Sequence, residues 1–234
     1  MSRANVKDKR KAELIAAALE SIAKRGLMET TITHISKGAG MSRGIINFYF
    51  TSKEMMLRET LKTLIDEYEA EWGAALAKAG DAGRARLDAI LKGHFDKKLC
   101  SARRLNVMSA FWGHAATQSA YRAQLEAADA KIETALTEAL AHALSSSLEE
   151  ARHAATQLHA LIRGLWLNYM LNPQAVSREE LLAQAMSFID RLMGAPIRIV
   201  KENDRPAGVV VKMKPKSKEA EPKQLDIEDL FGPR

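Results

Sequence analysis

Thr31 to Leu57 reads TITHISKGAGMSRGIINFYFTSKEMML, and it spells two short helices, a tight turn and the capped start of a third. Thr31 is placed to cap the first helix, because its hydroxyl can accept from a backbone N–H that has no partner in the first turn. Ile32, Ile35 and Ala39 then recur at helical spacing and give that helix one buried face. Gly40 ends it, since glycine tolerates the left-handed conformation just past a helix terminus. Ser42 restarts the chain as a second cap. In the new helix Ile46 and Phe50 face inward, which leaves Arg43 and Asn47, also four apart, on another face. Phe50 closes this helix, and Thr51 with Glu54 is predicted to form a capping box for the next.

Two helices around a glycine-containing turn, with Arg and Asn exposed early in the second, match the helix-turn-helix layout. The second helix of that motif enters the major groove and its first residues reach base edges. Gly44 adds to the reading: glycine inside a helix costs roughly 1 kcal/mol against alanine, and close approach to a phosphate backbone is a compensation. A helical hairpin that only packs is the alternative left open by spacing alone.

The same residues resemble a known family. Thr31 to Lys53 carries Thr-Ile-x-x-Ile-Ser-x-x-Ala-Gly-x-Ser-x-Gly-x-x-x-x-Tyr-Phe-x-x-Lys, the pattern of the TetR family of bacterial repressors. The Gly44-Ile-Ile start of the second helix looks most like its BetI-type, choline-responsive members, with Asn47 where many members have tyrosine. Carried onto matching positions, the resemblance implies that Arg43 and Asn47 read bases, with Phe48 against a thymine methyl. Thr31, Thr33, Ser42, Gly44, Tyr49 and Lys53 would position phosphates.

Composition agrees with a nucleic-acid binder. The chain has 234 residues and a net charge of +6, with 47% hydrophobic and only 6% aromatic residues. That suits an Ala/Leu-rich helical protein rather than a sandwich or barrel. Residues 1–60 hold eleven Lys/Arg against six Asp/Glu, while residues 61–194 hold fifteen against sixteen. The basic excess therefore lies with the helix-turn-helix, as an electrostatic footprint on phosphate should. Cys100 is the only cysteine, so no intrachain disulfide or Cys-based zinc site can form, and a reducing cytoplasm is expected. No signal peptide is read. The most apolar run, 158–171, is interrupted by Arg163 and too short to span a bilayer. Gly-rich phosphate loops, nucleophile elbows and metal-ligand spacings are lacking, so neither an enzyme nor a cofactor is expected.

Taken in order, residues 1–8 read as a mobile arm and Lys9 to Lys24 as a helix stopped at Gly26, with Ile15, Ala18, Leu19 and Ile22 as its apolar stripe. A long helix follows from near Thr51 to Lys78, and further helices are predicted over 84–99, 102–116, 120–144, 151–171 and 177–193, the last two opened by capping boxes at Ser147/Glu150 and Ser177/Glu180. The expected architecture is all-α. A three-helix DNA-binding domain (1–50) is joined by the long helix to a ligand-binding and dimerisation domain (51–194), and residues 195–234, rich in proline and basic residues, read as a disordered tail. Leu225 to Phe231 is a candidate contact element within that tail.

The resemblance also implies a homodimer through 151–193, a palindromic double-stranded DNA operator and a small effector, choline or a related quaternary ammonium. Leu158, Leu161, Ile162, Leu165, Trp166 and Tyr169 offer an apolar dimer face, with Ala160 and Gly164 allowing close approach; core burial is the equal alternative from periodicity. A trimethylammonium group is attracted to aromatic faces, so Trp72, Phe95, Phe111, Trp112 and Trp166 are candidate walls and Asp96 a candidate countercharge. A regulator of another pathway or of an efflux system, with another ligand, stays open.

Overall fold

A computed structural model describes residues 3–194, with side chains from Val6 onward; the tail 195–234 and its contact element lie outside the described residues. Nine helices are described: α1 (Arg3–Glu29), α2 (Ile32–Ala39), α3 (Arg43–Tyr49), α4 (Lys53–Ala77), α5 (Gly83–His94), α6 (Ala102–Ala115), α7 (Ser119–Leu144), α8 (Leu148–Leu171) and α9 (Arg178–Leu192). No strand occurs among the described residues. All nine helices pack as one unit.

Local chemistry sets the boundaries. The Thr31 hydroxyl accepts from the His34 N–H at 3.2 Å, Gly40 takes φ 62°, and the Ser42 hydroxyl accepts from the Ile45 N–H at 3.3 Å. The third cap differs from expectation. Because α4 begins at Lys53, the flanking residue is Ser52, whose hydroxyl accepts from the Met55 N–H at 3.0 Å, and the Thr51/Glu54 box does not form. The capping boxes at Ser147/Glu150 and Ser177/Glu180 are both present. Residues 3–8, read as a mobile arm, belong to α1. That helix breaks at Gly26, where φ is 81°, and continues to Glu29 because Leu27 turns into the core.

Three apolar clusters hold the helices together. Leu14, Ile15 and Ala18 of α1 meet Ile35, Ile46, Phe50 and Met56 beneath the helix-turn-helix. Further along α1, Ile22 and Leu27 pack with Leu57, Leu61, Leu64, Phe111 and Tyr121. The largest cluster joins α4, α5, α7, α8 and α9 around Trp72, Ile90, Leu136, Leu158, Ile162 and Ile189. Leu158, Ile162, Leu165 and Trp166 are thus inside the chain, and the residues of α8 turned outward include Ala160, Gly164, Leu167 and Leu171. Both faces of this helix carry apolar residues, so periodicity alone could not assign them. The crossing of α5 over α4 is close enough to demand glycine: a Cβ on Gly93 would lie 2.7 Å from Trp72 Cα.

Candidate nucleic-acid interface and ligand cavity

Because Ile46 and Phe50 are drawn into the core, the opposite side of α3 is forced outward. Arg43, Gly44, Asn47 and Phe48 are all exposed there, Phe48 to 74%. So large an exposed aromatic ring on a short helix invites a partner surface. It stands edge-to-face on half-buried Tyr49 at 5.2 Å, and the Lys7 ammonium lies 6.0 Å from its centroid. Nothing crowds Gly44 beyond the Ser42 hydroxyl at 3.7 Å, so backbone can be approached closely at this point. Thr31 and Ser42 spend a lone pair on their caps and keep their O–H groups free to donate.

Two of the sequence candidates are engaged within the chain. The Arg43 guanidinium donates to the hydroxyl of half-buried Thr33, which ties α3 back to α2. The Lys53 ammonium donates to the Met28 carbonyl at 3.2 Å.

The second feature is a small cavity among α4, α6, α7 and α8. It encloses about 50 Å³, room for a few water-sized groups. Leu64, Ile65 and Tyr68 come from α4, Arg104, Met108 and Trp112 from α6, Asp129 from α7, and His159, Arg163 and Trp166 from α8. Of the six aromatic and acidic candidates read from sequence, only Trp112 and Trp166 line it, their rings nearly parallel (11°) with centroids 6.5 Å apart. Trp72, Phe95 and Phe111 are instead buried in the apolar clusters, and Asp96 accepts from the Lys98 N–H at 2.8 Å in the turn after α5. Trp72 and Phe111 are turned away by helix face and Phe95 and Asp96 by lying past the end of α5, since large aromatics serve core and cavity alike.

Sequence reading missed Tyr68, Asp129, His159 and Arg163. Asp129 and Glu133 are four apart on α7 and face His159 and Arg163, four apart on α8, so the antiparallel pair aligns two acids with two bases. The one signal was Arg163 itself, a charge inside the most apolar run of the chain. Its guanidinium pairs with Asp129 and lies 5.7 Å from the Trp112 centroid. The His159 ring nitrogen Nδ1 is 3.2 Å from Glu133, and burial followed by the nearby Arg163 charge lowers the His159 pKa. Arg104 is paired with Glu67.

Behind the cavity sits a buried polar chain. His94 Nδ1 is 2.7 Å from the Ile90 carbonyl and must donate to it, so Nε2 accepts from the Tyr68 hydroxyl at 2.6 Å. The Trp166 indole donates to the His94 carbonyl at 3.2 Å. Burial pushes the His94 imidazole down to about 4 and the Tyr68 phenol well above its ordinary value, so both stay neutral and α4, α5 and α8 are tied by uncharged bonds.

Comparison with known proteins agrees with these features. Residues 14–60 match the model of bacterial regulatory proteins of the tetR family, and residues 83–194 match that of the BetI-type transcriptional repressor C-terminal region. An HTH-type transcriptional regulator BetI from Burkholderia mallei is 32% identical over 193 residues, covering 82% of this chain and 98% of its own. A solved transcriptional regulator from Pseudomonas aeruginosa superposes with a TM-score of 0.71 at 26% identity, over 80% of this chain and 91% of that one. One from Saccharomonospora viridis, solved in complex with choline, gives 0.70 at 20% identity, over 78% and 96%. The two family models together span most of the described helices, and the Burkholderia relative is 32% identical over 82% of this chain: the chain belongs to the TetR family of bacterial transcriptional regulators, as a BetI-type repressor.

Proposed function

We propose that the chain acts in the cytoplasm as a homodimeric one-component repressor. Its two α3 helices read the half-sites of a palindromic operator, and choline or a related quaternary ammonium, for which the walls of the roughly 50 Å³ cavity must move apart, releases the DNA. The observation that carries this reading is the double duty of α4. Its first turn places Met56 under Ile46 and Phe50 of the recognition helix, while Leu64, Ile65 and Tyr68 wall the cavity. A ligand with different affinity for two positions of α4 then has a mechanical route to the DNA.

For the effector, Trp112, Trp166 and Tyr68 supply aromatic faces and Asp129 a countercharge; the choline complex of the Saccharomonospora protein is the supporting comparison. Dimerisation is supported by the outward side of α8. His153, Gln157, Ala160, Gly164, Leu167 and Leu171 are all exposed and alternate in spacings of four and three, the seam of a helix pair. Leu167 and Leu171 are 46% and 71% exposed, and Gly164 has open space around it. A two-fold dimer fits a palindrome whose half-sites lie about 34–36 Å or more apart. Among the described residues no helix is long and apolar enough to cross a membrane.

The test is fluorescence anisotropy of the purified protein on the DNA upstream of its own coding sequence, at two salt concentrations, with and without choline. Selective, salt-sensitive binding that choline weakens is expected. Selective binding indifferent to choline would overturn the effector, and the lack of selective binding would overturn the repressor reading.

A further inference from the structure

Arg163 stands where a cationic effector should stand. Its guanidinium is paired with Asp129, the one carboxylate lining the cavity, and its Cζ lies within cation–π range of Trp112, one of the two parallel indoles. The other charged lining residue, Arg104, is also a cation. With Arg163 in place, an entering onium would meet that guanidinium at close range and a carboxylate already neutralised by it, Arg104 being itself paired with Glu67, which is unfavourable. The Arg163 side chain is nevertheless 39% exposed and so has a way out to water. A partly exposed ion pair contributes little on its own, so giving it up costs little.

We propose that Arg163 is a resident cation that occupies the effector's seat on Trp112 and Asp129, and that an onium effector binds by exchange with it. The proposal rests on the reading of the cavity as an onium site. It makes Arg163 a determinant of affinity rather than a ligand contact: the side chain competes with the effector, tethered and always present. It also makes the exchange selective. A neutral molecule of similar size supplies no charge in place of the guanidinium and would leave the part-exposed Asp129 carboxylate with only water and the His159 ring, 3.9 Å away, so it gains less than a cation does.

Choline and tetramethylammonium are titrated into the full-length protein by calorimetry and tryptophan fluorescence, for the wild type, Arg163→Met, Arg163→Gln, Arg163→Lys and Asp129→Asn. Circular dichroism confirms that each variant is folded, and using two neutral variants guards against one side chain filling the space by itself. Arg163→Met and Arg163→Gln should bind both cations about 3- to 30-fold more tightly than the wild type. Arg163→Lys, which keeps a competing charge, should gain least, and Asp129→Asn should bind more weakly. If the wild type binds but neither neutral variant gains affinity, the exchange is refuted and the onium site stands. If neither the wild type nor any variant binds either cation, the onium site falls and the exchange falls with it.

Discussion

Replacing Gly93 with alanine tests the packing that positions the cavity. The new Cβ would lie 2.7 Å from Trp72 Cα and 2.9 Å from Trp72 Cβ, whereas carbon atoms settle about 3.5–4.0 Å apart. The obstacle is backbone, so α5 must withdraw from α4 by on the order of 1 Å. Overpacking of this kind costs about 1–3 kcal/mol. Alanine recovers up to about 1 kcal/mol of helix propensity, but His94 follows directly in sequence and its bond to Tyr68 at 2.6 Å stretches with the displacement. The net expectation is a loss of about 1–2 kcal/mol, or a Tm lower by about 2–8 °C for a unit of this size. Urea and thermal unfolding at one fixed protein concentration measure it, the fixed concentration being needed because association adds to apparent stability. Gly73→Ala is the internal control. Gly73 adjoins Trp72 in α4 but has nothing within 4 Å of the added methyl, so this variant should be stabilised by up to about 1 kcal/mol. Gly93→Ala as stable as the wild type, alongside a stabilised Gly73→Ala, would refute the account of the α4–α5 crossing.

Asn47→Ala should lose about 1–3 kcal/mol of discrimination at a single base pair of each half-site, seen by anisotropy on operator variants; an equal loss at every position would assign Asn47 to the backbone instead. The folded chain holds His94 neutral to about pH 4, while the unfolded chain protonates it near 6.5, so stability falls as pH drops through that window and no further below it. The His94 share is about 3 kcal/mol, and His94→Asn should therefore lose that much less than the wild type between pH 7 and pH 4 in urea unfolding. Leu167→Asp places a charge on the exposed stripe of α8 and should give a monomer in analytical ultracentrifugation with its helical content intact; a dimer of undiminished strength would move the interface elsewhere.

The helix-turn-helix was legible because its instructions are local. Thr31, Gly40 and Ser42 act on residues three or four positions away, and Ile35, Ile46 and Phe50 declare the inner faces by spacing alone. Even the misplaced cap, Ser52 for Thr51, is an error of one residue. The cavity was not legible in the same way. Tyr68, Asp129 and Arg163 are separated by 61 and 34 positions and meet only through the packing of α4, α7 and α8. Composition marks Trp72, Phe95, Phe111, Trp112 and Trp166 alike, yet packing buries Trp72, Phe95 and Phe111 away from the cavity and leaves only Trp112 and Trp166 against it. The α8 stripe failed for the opposite reason: the helix is apolar on both sides, so burial had to be seen before the exposed side could be named.

The unbroken length of α4 has a geometric consequence. From Tyr68 at the cavity to Ser52, which caps the helix, is sixteen residues, about 24 Å along the axis. Rotation by 5° about the cavity end carries the other end through about 2 Å. Mirrored in a two-fold partner, the sweep alters the separation of the reading heads by up to about 4 Å, more than the full length of a hydrogen bond to a base edge. In the repressor proposed above, a ligand of a few atoms would need to move nothing far: the arm would turn a small rotation at the cavity end into loss of register on the DNA.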